Sequence, residues 1–213
     1  MAEAYRPTPQ SIIDVAGRAS FPIVEAEIDE VFPVYKLNSW VFRAGAVVYK
    51  IRLATTEEQK IASAREARNF QSLLSFYRMK GVDFGRSEGL TGDGYTLLRM
   101  PYLGISLHVI GQQLDLVKLG YNSAALSNIE DRFSPERLCH LVEQFKRDQA
   151  EFASVFGLVH CDLAQNNAPN NIVYNEPLDR LIPIDAEAFR EYDPEASQTF
   201  RDQVAAVKTW SLA

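Results

Sequence analysis

Cysteine is nearly absent from the chain: two of its 213 residues, Cys139 and Cys161. Two thiols make no disulfide framework, and their spacing is not that of a metal knuckle, so a stapled secreted scaffold and a zinc ribbon are both excluded. Both read as reduced, and Cys139 falls in an apolar helical pattern that suits a buried thiol. No stretch approaches the run of about 20 apolar residues that spans a bilayer. The opening MAEAYRPTPQ lacks the basic-then-apolar order of a signal peptide, so the expected compartment is the cytoplasm. Positive charge is in deficit, 22 Lys and Arg against 28 Asp and Glu for a net charge of -6. Neither nucleic acid nor an anionic membrane is therefore expected as a partner. What is present is ordinary: 46% hydrophobic and 23% charged residues suit one globular domain, or two small lobes.

Residues 1–27 carry Pro7, Pro9 and Pro22 around SIIDVAG and read as a lead-in segment with one short helix. From Phe32 to Leu53 the segments VFPVYKLN, WVFRAG and AVVYKIRL are rich in Val, Tyr, Phe and Ile, with turns at Asn38-Ser39 and Ala44-Gly45. Three antiparallel strands are expected there. Thr55 with Glu58 fits a capping box, and Ile61, Ala62, Phe70, Leu73, Leu74 and Tyr77 recur at helical spacing, so a helix is expected over about 56–79. VDFGRSEG and GYTLLRMPYL read as two further strands about the turn Leu90–Gly94. Beyond Gly104 the pattern turns helical, around 107–119 and again from Ser134-Pro135 along Leu138, Leu141, Val142, Phe145, Phe152 and Ala153. LVHCDL, a strand pair NNIVYN and LIPIDA, and a last helix over about 196–212 complete the reading.

Four pieces carry chemistry in a fixed order. They are a lysine ending a strand, Val47-Val48-Tyr49-Lys50; a glutamate in the next helix, Glu66; His160-Cys161-Asp162-Leu163 followed by asparagines; and Ile184-Asp185 after an apolar strand. Their order resembles the protein kinase-like superfamily. None is specific alone; their sequence and their strand and helix contexts agree together. The resemblance implies a two-lobed α+β protein kinase-like fold, with a small five-stranded antiparallel N-lobe over 28–101 and a reduced helical C-lobe over 102–213. It implies ATP with Mg2+ or Mn2+ as cofactors, because phosphoryl transfer needs a cation at the phosphates and carboxylates on the metal. By the same resemblance Lys50 contacts the phosphates and Glu66 orients it. Asp162 is the catalytic base, Asp185 ligates the metal, and an asparagine ligates it too. Asn167 has the family's spacing from Asp162, whereas Asn171 has the family's context before a strand, and both stay open. Met100 and Tyr102, beside Pro101, fall where the family's hinge meets adenine.

Several positions depart from the family pattern. KLNSWVFRAG holds no G-x-G-x-x-G, leaving Ser39 at the turn to offer hydroxyl and backbone contacts to phosphate. Ala186-Glu187 stand where the family has Phe-Gly, and Cys161 replaces the arginine that pairs with a phosphorylated activation loop. With 28 residues after Asp185, the chain resembles the compact effector kinases that bacteria secrete into eukaryotic hosts. That resemblance implies a protein serine or threonine as acceptor, a eukaryotic host protein as partner and a host-cell cytosol as a further compartment; a monomer is the default expectation. A catalytically inactive pseudokinase and a small-molecule kinase of the aminoglycoside type are the alternatives.

Plainer readings stand beside these. A strand lysine is commonly an exposed edge residue, and Glu66 has Arg65 and Arg68 as ready surface partners. The run 166–171 has the composition of a flexible loop. His160, Cys161 and Asp162 are consecutive and cannot all face one ion, and the kinase-like resemblance implies that His160 braces the catalytic loop. Asp185 is the strongest of the set, since a carboxylate after a buried apolar strand needs a cation or donors.

Overall fold

Alternation of side chains along VVYKIRL organises the first of two units. A computed structural model of the chain describes residues 6–21, 23, 28–32, 38–118, 132–163 and 171–191, and the chain divides into Met1–Tyr102 and Leu103–Ala213. In the first unit β1 (Glu30–Phe32), β2 (Ser39–Ala44), β3 (Val47–Leu53), β4 (Glu88–Gly92) and β5 (Tyr95–Pro101) form an antiparallel sheet of order β1-β2-β3-β5-β4. Successive side chains leave a strand on opposite faces. Ile51, paired with Leu97, points into an apolar cluster with Phe42 and Val31. Lys50 and Arg52, paired with Leu98 and Thr96, therefore share the other face.

Helices cover both faces. α1 (Pro9–Arg18), capped by the Thr8 hydroxyl, packs Ile12, Val15 and Ala16 into the Phe42–Ile51 cluster. The helix of the lead-in is thus part of the core of the first unit. α2 (Glu57–Met79) packs against β4 and β5 and buries Glu66, Asn69, Phe70, Leu73, Leu74, Phe76 and Tyr77 at helical spacing. Five antiparallel strands with this helix make the α+β architecture expected of the N-lobe.

Local expectations shift by small amounts, each with a physical cause. The capping box is Thr56 with Gln59, because it is the Thr56 hydroxyl that accepts from the Gln59 N–H. Ile61 is 59% exposed, lying off the buried stripe. β4 is EGLTG and turns into β5 through Asp93-Gly94, so most of the expected turn is strand. Lys50 is central in β3 instead of ending it. Part of VFPVYKLN, residues 33–37, lies outside the described residues.

The second unit is built around α4 (Pro135–Phe156), where Ser134 caps and Pro135 opens the helix, and Gly157 at φ 64° closes it. The strands β6 (Ile105–Ser106), β8 (Ile172–Asn175) and β9 (Arg180–Pro183) form one antiparallel sheet of order β6-β8-β9. β7 (Leu158–His160) and β10 (Phe189–Glu191) form a second. α3 (Leu107–Lys118) and α4 bury Leu107, Ile110, Leu141 and Phe145 with Leu163, Ile172, Tyr174 and Leu181. Asp148 of α4, 4% exposed, holds Arg180 at 2.6 Å and ties β9 to the helix. Cys139 is exposed, since Leu138 and Leu141 turn inward on either side of it and it does not. The helix expected over 196–212 lies outside the described residues.

Candidate functional site

Each unit assembles part of the residue set singled out in the sequence. In the first, Lys50 Nζ donates to Glu66 Oε1 at 2.6 Å, and both side chains are largely buried, 14% and 4% exposed. Glu66 reaches the sheet because it lies on the inward stripe of α2, whereas Arg65 and Arg68 are exposed on the outer side. The sequence alone did not point to its second partner, Arg52, whose Nη1 lies 2.9 Å from Glu66 Oε2. The signal was there in principle: two residues along a strand return a side chain to the same face. A pocket between α2 and the sheet is lined by Lys50, Arg52, Lys60, Ser63, Glu66 and Thr96.

In the second unit Asp162 and Asn171 are in contact. Asn171 Nδ2 donates to the Asp162 carbonyl at 3.0 Å and to its Oδ2 at 3.2 Å. The Asn171 carbonyl accepts from the Ile184 N–H at 2.8 Å, and the Cys161 N–H donates to the Ala188 carbonyl at 3.0 Å. These bonds frame Asp185, which lies between β9 and a short 3-10 turn (Ala186–Ala188). Its φ of 22° and ψ of 67° are outside the regions non-glycine residues favour. Such a conformation costs about 1–3 kcal/mol and clusters at functional positions.

His160 braces this frame from beneath. It is fully buried, edge-on to the Phe189 ring at 4.9 Å, and its Nδ1 accepts from the Asp162 N–H at 3.3 Å. Burial pushes the imidazole down to about 4, against the opposing pull of Asp185, so the ring is neutral at pH 7. Its Nε2 faces the Asp185 backbone carbonyl without a well-formed hydrogen bond among the described residues.

Four expected site residues stand differently. Asn167 lies outside the described residues. Ser39 opens β2 opposite Arg52 and is 6% exposed, a buried strand residue where an open turn was expected. The Tyr102 N–H donates to the Ala46 carbonyl at 2.8 Å. Bonded pairs recur at every second residue of an antiparallel ladder, so Met100, opposite Val48, also turns its N–H to β3. The ladder thus runs through the expected hinge and commits both donors. The Tyr102 ring instead lies beneath the Arg43 guanidinium, 5.0 Å from its centroid, and burial raises its phenol.

No protein-family model and no curated protein sequence matches the chain. Among solved structures it is similar to WbdD crystallised with the kinase inhibitor LY294002, with a TM-score of 0.49 and 14% identity over 86% of this chain and 38% of that one. It is also similar to monomeric WbdD, with a TM-score of 0.47 and 16% identity over 80% of this chain and 37% of that one. The bifunctional kinase-methyltransferase WbdD gives a TM-score of 0.46 and 15% identity over 80% and 34%. The chain spans between 34% and 38% of the length of these structures. Among the described residues no helix is long and apolar enough to cross a membrane.

Proposed function

We propose that the chain is an ATP- and magnesium-dependent phosphotransferase acting on a hydroxyl group. The observation that carries this is the buried Lys50–Glu66 pair at 2.6 Å, an ammonium held in the middle of a sheet by a helix carboxylate. A lysine in that setting is an oriented cation, suited to oxygens of a polyphosphate.

The donor set of the second unit fits magnesium. Asp185 offers a carboxylate, and Asn171 keeps its amide oxygen while its Nδ2 is directed to Asp162. Mg2+ commonly takes one or two protein oxygens and completes its shell with water and substrate phosphates. When bound, nucleotide and metal supply the transferable phosphoryl group and neutralise its charge. Asp162 accepts the proton of the acceptor hydroxyl, Asn171 Nδ2 holds that carboxylate in place, and neutral His160 holds the loop by accepting from the Asp162 N–H.

The acceptor assigned first is a protein serine or threonine. A eukaryotic host protein is the partner that the effector resemblance implies. A second reading, a nucleotide-binding module without turnover, is favoured by KLNSWVFRAG, which holds no G-x-G-x-x-G to position the phosphates, and by Ala186-Glu187 in place of the family's Phe-Gly. Transfer of labelled γ-phosphate separates the two, using wild type and Asp185→Ala with Mg2+ or Mn2+, alone and with eukaryotic lysate. Transfer by the wild type only supports the phosphotransferase. Nucleotide-dependent thermal stabilisation without transfer in either condition supports the binding module.

A further inference from the structure

The geometry points to Arg52 as a positioning residue that fixes Glu66, and through it Lys50, without any further input to the chain. The inference rests on the reading of Lys50 as the phosphate-binding cation. Glu66 is held at both oxygens, Oε1 by Lys50 at 2.6 Å and Oε2 by Arg52 at 2.9 Å. An ammonium is a rotationally free point charge and does not by itself fix the plane of a carboxylate. A second, planar donor on the other oxygen does.

The surroundings reinforce this hold. Arg52 is paired in the sheet with Thr96, whose hydroxyl lies 2.8 Å from that of Ser63, one turn before Glu66 on α2. One turn further, the Ala67 carbonyl accepts from Ser87 Oγ at 3.1 Å, and Gln71 Oε1 accepts from the Ser87 N–H at 3.1 Å. Residues 63, 66, 67 and 71 lie along one side of the helix. A rotation of α2 that parted Glu66 from Lys50 would have to break this whole row. The Lys50–Glu66 pair is therefore a built-in feature of the resting chain, and Arg52 is its lock.

The test uses the full chain and a double-mutant cycle of Arg52→Met with Glu66→Gln, read by affinity for a fluorescent ATP analogue and by the KM and kcat of transfer. The expected result is a loss of affinity on the order of tenfold for Arg52→Met in the wild-type background. In the Glu66→Gln background the same substitution should change it by less than about twofold, because coupled residues are non-additive. Arg52→Lys, which keeps the charge but replaces the planar donor with a second point charge, should recover little of the loss. Affinity within twofold of wild type for Arg52→Met, or the same fold-loss in both backgrounds, overturns the assignment. Should Arg52→Met fail to fold, Arg52→Gln takes its place in the same cycle. Lys50→Met separates the two readings. Unchanged analogue binding there overturns the parent reading and this one together, whereas weakened binding there beside an inert Arg52→Met overturns this one alone.

Discussion

Asn171 holds Asp162 at two points with one amide nitrogen, the backbone carbonyl at 3.0 Å and the carboxylate Oδ2 at 3.2 Å. A single side chain thereby ties down both the backbone and the carboxylate of Asp162. Its own carbonyl binds the N–H of Ile184, so the residue before Asp185 is tied to the same point. Asp162 and Asp185 are fixed by one asparagine that stands immediately before β8.

Asn171→Ala removes the donor to Asp162 and the amide oxygen assigned to the metal. The expected outcome is a fall in kcat on the order of a hundredfold, with a raised magnesium requirement, since a displaced catalytic group costs about that much. Asn167→Ala, measured in parallel, should cost less than tenfold. Equal losses in the two variants, or a larger loss at Asn167, would move the metal ligand to Asn167.

Glu66 stands between two cations, which orders the stability of three variants. Glu66→Ala takes the shared counter-charge from Lys50 and Arg52 and should cost about 3–5 kcal/mol, as removal of one partner of a buried pair does. Lys50→Met leaves Glu66 paired with Arg52 and should cost less, and Glu66→Gln should fall between them. Urea unfolding midpoints at constant m-value report the order. A Lys50→Met chain less stable than Glu66→Ala would show that Glu66 is not the hub.

Much of this was legible from composition and period. The Val, Tyr and Ile content of AVVYKIRL announces a strand, and Phe70, Leu73, Leu74 and Tyr77 announce a helix face because burial imposes a repeat on the sequence. Where period fails, so does the reading. β4 is EGLTG, exposed at every residue but its last and holding two glycines, so nothing in its composition marks a strand. Thr55 and Thr56 each precede an acidic or amide residue by three positions, and only the bond formed distinguishes them. Arg52 acts through a contact to Glu66 on a different element, which a linear motif does not carry. The α1 face of Ile12, Val15 and Ala16 likewise has no meaning until the sheet it covers is known.

Gly104 offers a stability test of the second unit. Its φ is 141°, and a Cβ there would lie 2.1 Å from the Tyr174 carbonyl oxygen and 2.8 Å from its carbon. That backbone cannot withdraw, because Ile105 is paired with Tyr174 between β6 and β8. Gly104→Ala should therefore cost more than about 3 kcal/mol, in the range of severe backbone clashes. Gly17→Ala, where nothing lies within 4 Å inside α1, should be neutral or stabilise by about 0.5 kcal/mol. Thermal melts of the two variants should move in opposite directions or differ by many degrees, and matching shifts would contradict the Gly104 packing.

His160 gives the chain a dependence on pH with a defined sign. In the fold its value is about 4, because burial disfavours the charged ring, while in the unfolded chain it returns to the ordinary 6.5. Between those values the unfolded state binds the proton and the folded state does not, so stability rises with pH across the window. From about pH 6.5 down to about 4 the chain should thus lose on the order of 3 kcal/mol through this one residue, with no further loss from it below. Carboxylates titrate in part of the same range, so the difference between wild type and His160→Gln isolates the imidazole. Unfolding free energies at half-unit steps of pH should show the wild-type curve steeper than the variant between 6.5 and 4. Parallel curves would mean that His160 is protonated in the folded chain. An imidazolium cannot accept the Asp162 N–H at Nδ1, so the brace beneath the Asp162 loop would then have to be held by another bond.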